Sequence, residues 1–275
     1  AVNHAFTTMA TGGFSVRNTS IASYQSDAIT WVIIVFTFLA GINFSLLYAV
    51  VRGRIKDALR SEELRWYLLI LAVTIGLICV DLHVELGQGW YESAKDAAFQ
   101  ATTIMSTTGY ATKDFTLWPT FSRCILVLLM YVGGCAGSTA GGMKVSRLML
   151  QVKSLRRELD HIIHPNRVSV ITMDGQSVDE RAVTSAHMFQ VAYLLVLMAG
   201  TLVVSLDVLG FTESFVAALT CVSNVGPSLG ALGPMANFAP LSWFSKLVLA
   251  LIMLMGRLEL MPMLVLLSPS TWRNK

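Results

Sequence analysis

Residues 99–111 read Phe99-Gln100-Ala101-Thr102-Thr103-Ile104-Met105-Ser106-Thr107-Thr108-Gly109-Tyr110-Ala111. They close a moderately apolar helix-like run, 94–105, that is too short and too polar to cross a bilayer, which takes about 20 helical residues. Two other stretches resemble this one. Residues 5–15 read Ala5-Phe6-Thr7-Thr8-Met9-Ala10-Thr11-Gly12-Gly13-Phe14-Ser15, and residues 217–228 read Ala217-Ala218-Leu219-Thr220-Cys221-Val222-Ser223-Asn224-Val225-Gly226-Pro227-Ser228. Aligned on Gly13, Gly109 and Gly226, each has an upstream threonine (Thr7, Thr103 or Thr220), then a small residue, a hydroxyl or amide, and the glycine. The glycines lie 96 and 117 residues apart, which leaves room for two membrane spans between copies of one repeated unit.

The surrounding composition suits such a unit. Of 275 residues, 54% are hydrophobic and 13% charged, with a mean hydropathy of +0.62. A soluble domain carries about 25% charged residues, so soluble, disordered and nucleic-acid-binding classes are excluded. The chain reads as an all-α integral membrane protein. Five apolar stretches are candidate spans: 28–51, 66–80 (extended towards Val84), 124–145, 189–208 and 247–267. The sequence starts at Ala1 on a polar stretch without Met, so we expect an absent N-terminal part of a longer chain. Cys79, Cys124, Cys135 and Cys221 sit in apolar surroundings without a CxxC pair and read as buried small hydrophobes.

The net charge is only +3, and its placement matters more than its size. Arg52, Arg54, Lys56, Arg60 and Arg65 follow the first span; Lys144, Arg147, Lys153, Arg156, Arg157, Arg167 and Arg181 follow the third; Arg273 and Lys275 end the chain. Residues 209–242 hold no Lys or Arg, and 81–123 hold only Lys95, Lys113 and Arg123. The positive-inside rule then makes the first group cytoplasmic and the second external. The runs 94–105 and 211–232 each lie between two spans on the external side, the latter with Thr212 placed to cap a helix. They read as re-entrant half-helices. Irregular backbone at membrane depth is tolerated only where it lines a cavity, so the architecture is repeated helix–pore-loop–helix units around a central pore.

A K+ filter replaces the hydration shell with backbone carbonyls from an extended loop after a short helix. Glycine frees that backbone, and the helix turns its negative C-terminal end to the cation. Carbonyls or hydroxyls of Thr11, Gly12, Gly13, Thr107, Thr108, Gly109, Asn224, Val225 and Gly226 are the candidate ligands. The loops lack carboxylate rings, which argues against a divalent filter.

The third span breaks into Tyr131-Val132-Gly133-Gly134-Cys135-Ala136-Gly137-Ser138-Thr139-Ala140-Gly141-Gly142-Met143-Lys144. Gly133, Gly137 and Gly141 can form a helix-packing ridge, or the segment can be a broken helix obstructing the permeation path. A phosphate-binding loop is rejected, because GxxxxGK[ST] is absent. Arg257 lies near the centre of the last span with Glu259 two residues on, a spacing at which the two do not face each other on a helix. An intramembrane charge is a functional hypothesis by default, with satisfaction by backbone carbonyls as its structural alternative. Asp81, His83 and Glu85 read as solvated interfacial charges rather than a metal site. Asp174, Gly175, Asp179 and Glu180 read as a polar hairpin or loop. No catalytic constellation is visible, and no enzyme is expected.

The three loops, the glycine-rich break and Arg257 together resemble the Trk/Ktr/HKT superfamily of K+ transporters, most closely its bacterial TrkH-type subunits. The resemblance covers essentially the whole sequence and implies four helix–pore-loop–helix units. Residues 1–58 match the pore loop and second helix of unit 2, 59–168 match unit 3, and 169–275 match unit 4. It implies K+ uptake without a cofactor, and a gate in which a loop containing Gly133, Gly134, Gly137, Ser138, Thr139, Gly141 and Gly142 lies beneath the filter beside Arg257. It also implies a multi-pass protein of the bacterial inner membrane. Its partners would be lipid, a second copy in a homodimer, and a cytosolic nucleotide-binding regulatory subunit; no nucleic acid is involved. The basic stretch 144–167 is placed to meet such a ring or anionic lipid. The last loop departs most, with Asn224 and Pro227 where the second has Thr107 and Tyr110. The alternative is a Na+- or H+-coupled secondary transporter with broken helices entering from both faces.

Overall fold

The computed structural model describes residues 1–167, 169–207 and 209–272. Residue 208, the end of the expected span 189–208, and Arg273 and Lys275 lie outside them. The helices are α1 (Val2–Met9), α2 (Asp27–Ala40), α3 (Phe44–Val51), α4 (Ile55–Arg60), α5 (Glu62–Leu86), α6 (Trp90–Met105), α7 (Thr120–Val132), α8 (Val145–Ile163), α9 (Glu180–Val204), α10 (Phe211–Ser223), α11 (Trp243–Arg257), α12 (Leu260–Leu267) and α13 (Pro269–Trp272). A small antiparallel hairpin, β1 (Thr172–Met173) with β2 (Gln176–Ser177), turns through Asp174 and Gly175.

Among the described residues, two helices are long and apolar enough to cross a membrane alone: α5, and α9 with its short continuation to Asp207. The stretch 66–80 is thus the middle of a 25-residue helix. Two other expected spans are bent pairs, α2 with α3 at 108° and α11 with α12 at 114°. The stretch 124–145 becomes the 13-residue α7 followed by a non-helical segment, 133–144. Sequence hydropathy sees the apolar length of these segments but not the direction of the backbone.

Each bend has a local cause. Between α2 and α3, Gly41 lies against the Tyr67 ring and Asn43 caps α3 by accepting from the Ser45 amide at 2.8 Å. Between α11 and α12, Glu259 takes a left-handed φ of 66°, which ends the helix at Arg257. Arg257 therefore stands at a helix end, not in the middle of a continuous span.

The half-helices α6 and α10 are encased. Every residue from Ala97 to Met105 and from Val216 to Ser223 is buried, α6 among α2, α5 and α7 and α10 among α7, α9 and α11. Aromatic and aliphatic side chains such as Tyr67, Ile78, Leu126 and Tyr193 fill the space behind them. Thr212 is not the cap of α10. Gly210 is, its amide donating to Glu213 Oε2 at 3.4 Å, while Glu213 Oε1 accepts from Ala231 at 2.9 Å.

Two further sequence expectations change. Cys135 and Cys221 are buried, but Cys124 is exposed on α7 and Cys79 is only half-buried. Asp81 is not simply solvated, since its Oδ2 accepts from the Ser122 amide at 3.1 Å and hydroxyl at 2.5 Å and so anchors the first turn of α7. Among the described residues no His, Cys, Asp and Glu cluster could hold a metal ion.

Candidate functional site

The half-helices α1, α6 and α10 end identically. Each passes into a residue with left-handed backbone, Thr11 (φ 48°), Thr107 (φ 56°) or Asn224 (φ 57°), and two residues later into a left-handed glycine, Gly13 (64°), Gly109 (80°) or Gly226 (109°). The hydrogen bonds repeat too. Thr11 donates to Thr8 O at 3.1 Å, Thr107 to Ile104 O at 2.9 Å and Asn224 to Cys221 O at 3.3 Å. The next amides, of Gly12, Thr108 and Val225, reach back to the carbonyls of Thr7, Thr103 and Thr220 at 2.7, 2.9 and 2.9 Å. This is a Schellman-type helix stop, usually made by glycine. Thr107 and Thr11 adopt it although a left-handed conformation costs a side-chain-bearing residue about 1–2 kcal/mol. Such strain persists where the surroundings impose it.

The consequence is a set of free oxygens. Among the described residues, the carbonyls of Thr11, Gly12, Thr107, Thr108, Asn224 and Val225 accept no hydrogen bond. The upstream threonines hold the far side of each loop. Thr103 Oγ1 accepts from the Tyr110 amide and Thr220 Oγ1 from the Gly226 amide, both at 2.9 Å, and Thr7 Oγ1 donates to Phe14 O at 3.1 Å.

The loops adjoin. A Cβ on Gly13 would strike the Thr108 carbonyl, with Gly109 C at 3.4 Å; one on Gly109 would strike the Val225 carbonyl, with Pro227 Cδ at 2.9 Å. Each glycine thus presses its backbone against the next loop. A Cβ on Gly226 would meet nothing within 4 Å.

The segment 133–144 packs against the ends of these half-helices. It has left-handed backbone at Gly133, Gly137, Gly142 and Lys144 and is not a straight helix-packing ridge. Gly141 donates its amide to Thr107 Oγ1 at 2.7 Å, and Thr11 Oγ1 donates to Thr139 O at 2.8 Å. Thr139 Oγ1 in turn donates to Met9 O at 2.9 Å. The Thr11 and Thr107 hydroxyls, expected as extra ligands, are therefore engaged with this segment, and Thr108 Oγ1 lies 2.8 Å from Ser106 Oγ. Gly134, against Ala140 and the Gly41 carbonyl, has no room for a side chain. The segment also reaches the first bend, where Cys135 donates to Gly41 O at 2.9 Å and Phe44 to Gly137 O at 3.1 Å. Ser138 Oγ closes its own turn onto Cys135 O at 2.6 Å.

Arg257 meets it from the second bend. Its guanidinium donates to Thr139 O at 2.9 Å and to Ala10 O at 3.1 Å, so one side chain spans this segment and the end of α1. Glu259 pairs instead with Arg147 at 2.7 Å. Lys144 Nζ donates to Ala140 O at 2.5 Å. Beneath them opens a cavity of about 260 Å³ whose lining includes Lys144, Arg147, Arg257 and Glu259.

Sequence reading missed Glu63, the buried carboxylate that ties the interior of the break to the start of α8. Its Oε1 accepts from Ala136 at 2.7 Å and Ser146 at 3.1 Å. A carboxylate at the start of an apolar helix was the available signal.

Short buried helices that each end in a left-handed glycine loop, packed among apolar helices long enough to span, define a membrane protein of the helix–pore-loop–helix class. Residues 1–274 match the family model described as TrkH, cation transport protein, and the chain belongs to that family. It is 33% identical over 279 residues to the Trk system potassium uptake protein TrkH of Salmonella typhimurium, covering 100% of this chain and 57% of that protein. It is 35% identical over 276 residues to the Trk system potassium uptake protein TrkI of Halomonas elongata, covering 100% of this chain and 56% of that protein. Among solved structures, the potassium transporter TrkH from Vibrio parahaemolyticus superposes with a TM-score of 0.92 at 32% identity, covering 99% of this chain and 58% of that one. The chain thus spans somewhat more than half the length of these relatives.

Proposed function

We propose that this chain supplies three of the four walls of a K+-selective pore that serves K+ uptake. The observation that carries the reading is the backbone repeat at Thr11–Gly13, Thr107–Gly109 and Asn224–Gly226, three loops with unpaired carbonyls in which Gly13 packs on the Thr108 carbonyl and Gly109 on the Val225 carbonyl. Ligands from Thr11, Gly12, Gly13, Thr107, Thr108, Gly109, Asn224, Val225 and Gly226 would replace the hydration shell of a dehydrated cation. The units are 1–58, 59–168 and 169–275. The open side of Gly226 is where a fourth loop would close the ring.

Segment 133–144 and Arg257 form the gate. The segment occupies the axis below the loops, and the guanidinium places a positive charge there that opposes a passing cation. The chain needs no cofactor. It works in the bacterial inner membrane as a homodimer, and a cytosolic nucleotide-binding subunit meets the basic helix α8. Drawing α8 away would pull on Lys144 and Ser146, and through them on the gate.

The alternative, a Na+- or H+-coupled carrier with inverted half-helices, fits less well, because the three loops repeat one backbone pattern and the Lys and Arg placement puts the half-helices on one side. Uptake of 86Rb+ against 22Na+ into proteoliposomes holding the full-length protein separates the two readings. A pore passes Rb+ down its own gradient without Na+ or a pH difference; a coupled carrier does not.

A further inference from the structure

The three loops are not braced alike. The residue after each aligned glycine is Phe14, Tyr110 or Pro227. Phe14 is 73% exposed, whereas Tyr110 is fully buried. From loop 2, the Tyr110 ring crosses to the half-helix of the neighbouring unit. Its hydroxyl lies 2.5 Å from Thr7 Oγ1, accepts from Thr8 Oγ1 at 3.2 Å and reaches His4 O at 3.4 Å. The His4 ring stands beside it, centroids 5.9 Å apart.

Both ends of this contact are fastened to the filter loops. Thr7 Oγ1 also lies 3.1 Å from Phe14 O, one residue beyond Gly13. The Tyr110 amide, one residue beyond Gly109, donates to Thr103 Oγ1 at 2.9 Å. A continuous polar chain therefore runs from the loop 1 backbone through Thr7 and the Tyr110 phenol to the loop 2 backbone. The corresponding residue of the third loop, Pro227, has no side-chain polar group and sets its ring against Gly109.

We propose that the Tyr110 hydroxyl is a specificity-determining strut that sets the spacing between loops 1 and 2, and so the cation radius the filter accepts. The proposal rests on the filter reading of these loops. Tyr110 touches no ion and acts by position. A filter that discriminates K+ from the smaller Na+ has to resist contraction around Na+. A rigid aromatic ring, hydrogen-bonded at its tip and continuous with the loop at its base, opposes that contraction on one side.

The test is the ratio of 86Rb+ to 22Na+ uptake by the full-length protein in proteoliposomes, with Gly109→Ser as reference. Tyr110→Phe keeps the ring and deletes the hydroxyl; given about 0.5–1.5 kcal/mol for a hydrogen bond, the ratio should fall about two- to tenfold while Rb+ uptake persists. Thr7→Val attacks the same contact from the other side and should lower the ratio comparably, Thr7→Ser restoring it. Tyr110→Phe with Thr7→Val should be no worse than either alone. An unchanged ratio in Tyr110→Phe and Thr7→Val beside a lowered one in Gly109→Ser overturns the strut and leaves the filter standing. Unchanged ratios in all three overturn both.

Discussion

The backbone amide of Gly141 donates to the hydroxyl of Thr107 across 2.7 Å. Thr107 begins the second of the three glycine loops, and Gly141 belongs to the segment 133–144. The two are thus hydrogen-bonded neighbours, with Thr107 held in left-handed backbone. If the loops are the filter and the segment its gate, as proposed, opening the gate has to break this bond.

Removing the acceptor should therefore favour the open gate. Thr107→Val preserves shape but strands the Gly141 amide, a loss of about 1–3 kcal/mol for a buried unpaired donor. Basal 86Rb+ flux should rise about tenfold, since 1.4 kcal/mol is a factor of ten. Thr107→Ser, which keeps the oxygen, should stay near the parent rate.

Arg257 and the segment should act as one device. Arg257→Ala leaves Thr139 O and Ala10 O without their cationic donor, and charge-assisted bonds are worth about 1.5–3 kcal/mol each. Basal flux should rise, and shortening 137–141 in the same protein should add little. Arg257→Lys should recover only part of the closure, because an ammonium lacks the planar fork that reaches two carbonyls. Flux assays on the single and double variants test this.

Glu63 should hold the gate from its cytoplasmic side. One oxygen accepts from Ala136, within the break, and from Ser146, in the first turn of α8. Glu63→Ala should raise basal flux and loosen amide protection of 134–146 in hydrogen exchange. Glu63→Gln retains an acceptor oxygen and should lie between alanine and the parent.

The glycines should differ in a predictable order. An alanine at Gly13 or Gly109 would run into a neighbouring carbonyl, whereas at Gly226 it meets open space within this chain and bears only the strain of a φ of 109°. Gly13→Ala and Gly109→Ala should therefore cost more K+ selectivity than Gly226→Ala. Parallel Rb+ and Na+ uptake orders the three.

The sequence made the repeat legible because Gly13, Gly109 and Gly226 mark backbone that other residues resist, and hydroxyl residues cluster before them. It also pointed to Arg257, since a cation in an apolar stretch needs a partner. It did not show where the chain turns. The stretches 28–51 and 247–267 have the apolar length of spans, yet Asn43 and Glu259 bend each by more than 100°. Nor could it pair distant residues. The Thr107 hydroxyl reads as a cation ligand until Gly141 is seen to donate to it, and nothing local in the sequence ties Glu63 to the amides of Ala136 and Ser146.

The central claim is that three adjoining glycine loops select K+. Its most direct measurement is the 86Rb+ to 22Na+ uptake ratio of the full-length protein in proteoliposomes, parent against Gly109→Ser. A side chain at Gly109 cannot coexist with the Val225 carbonyl in its present place, so the account predicts a ratio well above one in the parent and a collapse towards one in the variant. An equal ratio in the two proteins, with Rb+ uptake intact, would contradict it.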